Sequence, residues 1–303
     1  MTGLFEHASS HWVRYSRYIW KTAKDGKLYL MPTKASKPKI YDPLEVYEDL
    51  VLDALTIGSM CMTQKPREEI QEAMLRFATN YGLLGLMTAL PTTSKFMDYE
   101  KVYFPKNRFI KEEALNTEDY LNFFFPFGKL DLTKQGTESV WNVEGDHDMM
   151  ALALTMGDKP LGVSLEFQRQ YAEPYEWLEV QFREWFFIFM TSVYYYHDYD
   201  QIDEDTRNIY RQAMNAFDGN APTYHIALLD KPTIVWDFHS LLLGIQMMFS
   251  VMLTDDHQPI RICKKCAKVF RASRPSAVFC SPRCKNQYNV YKSRNKDNTA
   301  EEN

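Results

Sequence analysis

Cys263-Lys264-Lys265-Cys266, thirteen further residues, and then Cys280-Ser281-Pro282-Arg283-Cys284 form the stretch on which the reading of this chain turns. The spacing C-x2-C-x13-C-x3-C offers two short-spaced pairs, and two such pairs can wrap one tetrahedral ion. Four thiolates make a closed structural zinc site, whereas a catalytic zinc would keep one position for water. The expected ligands are Cys263, Cys266, Cys280 and Cys284, holding one structural Zn2+. Phe270 and Phe279 stand where apolar side chains can cover the ion. Ser281 suits a helix N-cap and Pro282 the first helical position. Cys284 then falls in the first turn and Cys280 just before it, so the positive end of the helix favours their thiolates. A hairpin knuckle followed by a helix N-terminus is a treble-clef-like layout. The fifth cysteine, Cys61, lies alone in an apolar helical stretch and reads as a small buried hydrophobe.

The same stretch is electrostatically separate from the rest. The 303-residue chain has a net charge of −5. Residues 1–256 carry 24 Lys/Arg against 37 Asp/Glu, a balance of −13, while residues 257–296 carry 11 Lys/Arg and no acid. Such a segment attracts phosphates and the acidic body repels them. Two domains follow, an acidic body over 1–256 and a basic zinc finger over 257–303 with a frayed polar end. On the helix after Pro282, Cys284, Tyr288 and Tyr291 share one face, expected to meet the small core. Lys285, Asn289, Lys292 and Lys296 share another. The expected nucleic-acid contacts are Lys285, Asn289, Lys292 and Arg294, with Lys264, Lys265 and Arg271 supporting from the knuckle. Lysines there act on phosphates, and Asn289 is placed to read a base edge, adenine above all. The competing reading is a solvated basic face that balances the acidic body.

Cys263 to Arg294 resembles the small bacterial zinc fingers with C-x2-C, an aromatic, then F/Y-C-S-x-x-C and a basic helix, in particular the CGNR zinc finger. In that group a helical N-terminal domain, a hairpin and a helix precede the finger, and residues 222–253 followed by 261–295 are similarly arranged. Phe77-Ala78-Thr79-Asn80-Tyr81-Gly82-Leu83-Leu84-Gly85 also looks like a segment of such N-terminal domains. The family's C-G-N-R is here Cys284-Lys285-Asn286-Gln287, and the cysteine spacings are shorter. The resemblance implies a transcription-regulator-like role with the finger as a DNA-binding tail.

Working outward, the body reads as α+β and mainly α, with two β-hairpins. Trp12 to Trp20 and Lys27 to Met31 flank the turn signal Asp25-Gly26; Lys34 to Pro38 reads as a loop. Asp42-Pro43 opens a helix through Leu44, Tyr47, Val51, Leu55 and Gly58. A second helix runs from Pro66 to Asn80, with Gly82 as terminator. Phe123 to Phe127 reads as an aromatic loop and Trp141 to Met150 as polar and turn-rich. A long aromatic helix spans Pro174 to Tyr196, and another Asp203 to Phe217. Tyr224 to Leu229 and Thr233 to Trp236 form the second hairpin, and Ser240 to Leu253 the last helix before the cysteines.

Other features weigh less. Gly145-Asp146-His147-Asp148 places a His between two carboxylates but reads as a polar turn. Tyr194 to Tyr199 reads as a helix end docked on the body, and the aromatic helix as core rather than pocket lining. His225 and His239 have no evident catalytic partner. There is no Gly-rich phosphate loop, no G-x-S-x-G and no H-E-x-x-H. Met1 to Ser10 lacks the plan of a signal peptide, and no run approaches the roughly 18 apolar residues of a membrane span. A cytoplasmic protein with no membrane partner is expected. Three functions stay open: a nucleic-acid-binding regulator, with DNA favoured over RNA, whose body senses a small molecule or protein; a protein-interaction module with a purely structural finger; and an enzyme of unknown class carrying an accessory finger.

Overall fold

The computed structural model describes residues 8–85, 102–103, 114–115, 122–127, 169–197, 199–215, 217, 223–228, 230–238 and 240–300. The architecture is α+β. Strands β1 (Ala8–Ser10), β2 (Trp12–Tyr15), β3 (Tyr18–Thr22), β4 (Leu28–Pro32) and β5 (Pro38–Tyr41) lead through a 3-10 turn (Pro43–Val46) into helices α1 (Tyr47–Met62) and α2 (Arg67–Tyr81). After the short bridge of β6 (Val102–Tyr103) with β7 (Ala114–Leu115) come β8 (Glu173–Pro174), α3 (Tyr175–His197) and α4 (Glu204–Asn215). The hairpin β9 (Thr223–Leu228) and β10 (Pro232–Asp237) precedes α5 (Leu241–Leu253), and the chain closes with β11 (Ile260–Ile262), β12 (Val269–Arg271) and α6 (Pro282–Ala300).

Local chemistry accounts for most boundaries. The Asp42 carboxylate accepts from the Leu44 N–H at 2.8 Å with Pro43 at the first position, as the Asp-Pro pair predicts. The first turn is 3-10 before the α-helix sets in. Gly82 ends α2 with φ +97°, and a Cβ there would meet the Val13 carbonyl at 2.6 Å. Ser240 caps α5 through Leu243 N–H. The first hairpin pairs Tyr18 with Pro32 through Thr22 with Leu28, with Gly26 at φ +81° in its turn. Both expected hairpins of the body are present.

The body carries more strand than periodicity implied. Residues 38–41, partly assigned to a loop, pair with β2, and β8 adds a third strand beside β4. The short β1 runs parallel to β10, Ser9 opposite Val235. These partners are distant in sequence, so no local pattern announces them. The core lies where α1 crosses α3, with α2 and α5 against them. Trp185, Phe182, Phe189, Phe249, Leu50, Leu55 and Met74 are fully buried there. A Cβ on Gly58 would lie 2.1 Å from the Phe182 carbonyl, so the two helices approach backbone to backbone at that point. The aromatic helix is thus core, and Cys61 is buried as expected. Phe124 and Phe125 are buried too, Phe124 stacked on Tyr171 at 5.2 Å. No helix among the described residues is long and apolar enough to cross a membrane. Residues 141–150, with the Gly145–Asp148 turn, and His239 lie outside the described residues.

Candidate metal centre and basic face

The strand alternation of β12 divides its side chains between two environments. Val269 and Arg271 face the body, while Phe270 faces the cysteines. Ile260 and Val269 are buried in the main core, and Ile262 packs against it. Phe270, Cys263 and Ala272 form a second small cluster with Ala277, Phe279, Cys280 and Cys284. The hairpin is therefore shared: one face belongs to the body's core and the other covers the cysteine centre.

The knuckle is built by the turn between β11 and β12. Cys263 N–H donates to the Lys268 carbonyl at 2.9 Å, and Ala267 N–H to the Cys263 carbonyl at 2.9 Å. Ala267 takes φ +58°, which turns the chain back on itself. Lys264 N–H reaches the Val278 carbonyl at 3.1 Å and so ties the second cysteine pair to the first. Ser281 caps α6, its hydroxyl accepting from Cys284 N–H at 3.2 Å, with Pro282 at the first helical position. Phe279 packs on Tyr288 with ring centroids 5.2 Å apart.

The four sulfurs lie within 4.8 Å of one another. Cys266 Sγ is 3.7 Å from Cys280 Sγ, which is 3.6 Å from Cys284 Sγ. A tetrahedron with metal–sulfur bonds of about 2.3 Å has edges of about 3.8 Å, so these separations suit one ion held by all four. Burial pushes the Cys263 thiol up, but the backbone N–H groups of Cys280, Cys266 and Lys265 outweigh it and hold it at about 6. Cys280 goes the other way, to about 12, through burial first and then the neighbouring sulfurs of Cys284, Cys263 and Cys266. Four close thiols do not all ionise by themselves, and a bound cation removes that penalty. The group can hold a metal ion.

The basic residues divide into two sets. Lys264, Lys265, Lys285, Asn289 and Lys292 are exposed. Arg294 lies on α6 beyond the described side chains. Arg271 requires a correction, because it is not available to a nucleic acid. Its side chain is 5% exposed and pairs with Glu48 at 2.9 Å and Asp255 at 2.8 Å. The same guanidinium donates to the Tyr47 hydroxyl at 2.6 Å. It clamps the hairpin onto the start of α1. Its partner Asp255 also accepts from the backbone N–H groups of His257 and Gln258, and these bonds with Arg271 outweigh burial and lower its pKa. The one signal for this clamp in the sequence is that Arg271 shares strand parity with Val269. A second correction concerns Tyr291. It does not join the small core with Cys284 and Tyr288 but is 63% exposed. The chain matches no protein-family model, curated protein or solved structure significantly, so its function is to be read from this centre and its surroundings.

Proposed function

We propose that this chain is a zinc-dependent nucleic-acid-binding protein of the transcription-regulator kind, with a treble-clef-like finger as its binding element. An all-sulfur tetrahedral donor set is a zinc set first of all. The knuckle supplies one pair and the start of α6 the other, an arrangement that supports the treble-clef-like reading. The observation that carries the reading is the exposure of Lys264, Lys265, Lys285 and Lys292 around the centre, in a segment without a single acid. Among the described residues no ion pair holds any of the four, in contrast to Arg271. Cations left unpaired beside Asn289 suit phosphate contact with some base-edge contact.

A second reading has its own observation. Arg271 spends its charge on Glu48 and Asp255, so basic residues of this segment do meet carboxylates, and an acidic protein partner would be met in the same way. Salt dependence separates the two. The zinc-loaded full chain is titrated with duplex DNA over a range of ionic strength, beside the double variant Lys285→Ala, Lys292→Ala. The expected result is weaker binding to every sequence and a slope of log K against log[salt] shallower by roughly 0.9 for each phosphate no longer neutralised. Unchanged affinity and slope would remove the basic face as the nucleic-acid-binding surface and put the protein-partner reading ahead.

A further inference from the structure

By helical spacing Tyr291 belongs with Cys284 and Tyr288, yet only Tyr288 is drawn in, by Phe279. Tyr291 stands 63% exposed, and its neighbour Val290 is 52% exposed. The fold gains little from an aromatic ring left in water on an otherwise polar helix. The ring is not isolated, however. The Lys265 ammonium, carried by the knuckle, lies 4.8 Å from its centroid. That is within reach of a cation–π attraction and joins the two arms of the finger across the outside of the metal centre. Lys264 precedes Lys265 and Lys292 follows Tyr291, both exposed. A flat aromatic surface thus has one ammonium group beside it, with two more exposed lysines next along the chain, in a stretch, residues 257–296, with 11 Lys/Arg and no acid.

A nucleotide presents those two features together: a planar base with a π-face, and a phosphate one sugar away. Bases in a duplex show only their edges to the grooves, because their faces are stacked on each other. Only an unpaired base can lie on a tyrosine ring, and such stacking tolerates any base. We infer that Tyr291 and Lys265 form a seat for one unpaired nucleobase and its phosphate, so that the finger's partner is single-stranded nucleic acid. This rests on the proposed nucleic-acid function and narrows it. Lys285, Lys292 and Lys264 then follow the strand's backbone to either side.

The test uses the zinc-loaded full chain with three probes: an oligo(dT), an oligo(U) of equal length, and a mixed-sequence DNA duplex. Wild type is expected to bind at least one single strand more tightly than the duplex, and the preferred one identifies the sugar. Tyr291→Ala weakens single-strand binding about tenfold and changes duplex binding by less than about twofold. Tyr291→Phe keeps the ring and retains single-strand affinity, which a role carried by the hydroxyl would not allow. Lys265→Ala lowers the single-strand salt slope by roughly 0.7. Zinc content stays the same in all three variants. A wild type that prefers the duplex, or a Tyr291→Ala variant that binds single strands as well as wild type, overturns the stacking seat while leaving a nucleic-acid finger standing. A wild type that binds none of the probes overturns the nucleic-acid reading itself, and the seat with it.

Discussion

Glu173 has no exposed surface, yet it is a carboxylate inside an aromatic core. Its two oxygens accept from Leu84 N–H at 3.1 Å and Gly85 N–H at 2.7 Å. Burial raises its pKa and outweighs the lowering by the Gly85 and Leu84 N–H groups and by Tyr171, leaving it at about 7. In the unfolded chain it ionises near the ordinary 4.5. Between those values the native state holds a proton that the unfolded state has lost, so stability falls as pH rises from about 4.5 to about 7 and is level above. The loss is about 3 kcal/mol. In Glu173→Gln that stretch of the curve flattens, as urea midpoints at about pH 5 and about pH 8 would show; an unchanged difference between them would place the titration elsewhere. Nothing near Glu173 in sequence marks it as buried, since its partners Leu84 and Gly85 lie 89 and 88 residues away. The four cysteines are legible because a group that can hold one ion needs paired ligands at short, local spacing. Tyr291 is misread for the opposite reason: helical phase says which residues share a face, not which of them find a neighbour.

At the level of elements, the hairpin of β11 and β12 stays on the body through Ile260, Val269 and the Arg271 clamp. Arg271→Ala takes the guanidinium away from Asp255, whose side chain is 13% exposed. Loss of one partner from a largely buried pair costs about 3 kcal/mol. Arg271→Lys does not restore it, because one ammonium cannot serve Tyr47, Glu48 and Asp255 in the directions a guanidinium does. Urea unfolding of both variants checks this: a midpoint equal to wild type in Arg271→Ala would show the clamp to be energetically idle, and one in Arg271→Lys alone would show that a single ammonium suffices. The helices are the most readable elements: Asp42, Gly82 and Ser240 mark their ends by chemistry that acts within one turn. The strands are readable only where a tight turn joins them. β5 begins at Pro38 after a polar loop, and β8 is two residues long, so their assignment depends on partners far along the chain.

For the whole molecule, the finger is seated on the body rather than strung behind it, although composition alone separates the two at residue 256. Metal removal should therefore divide the molecule past the hairpin. Purified protein is expected to carry about one zinc per chain by elemental analysis. A chelator should release the segment after Arg271, because a structural metal there would supply its folding energy, while Ile260 and Val269 keep the hairpin in the core. Limited proteolysis with and without chelator tests this: the new cuts should fall beyond Arg271, and an unaltered pattern in metal-free protein would mean that the cysteines hold the fold unaided. The closure of the body's first strand also sets an order in time. The Ser10 hydroxyl donates to the Trp236 carbonyl across 226 residues, and β1 pairs with β10. During synthesis the N-terminal strand leaves the ribosome early and must wait until β10 emerges before that sheet can close. By then α1 to α4 have all emerged. That sheet therefore closes after the chain of α1 to α4 is already outside the ribosome, and the four cysteines emerge only after β10.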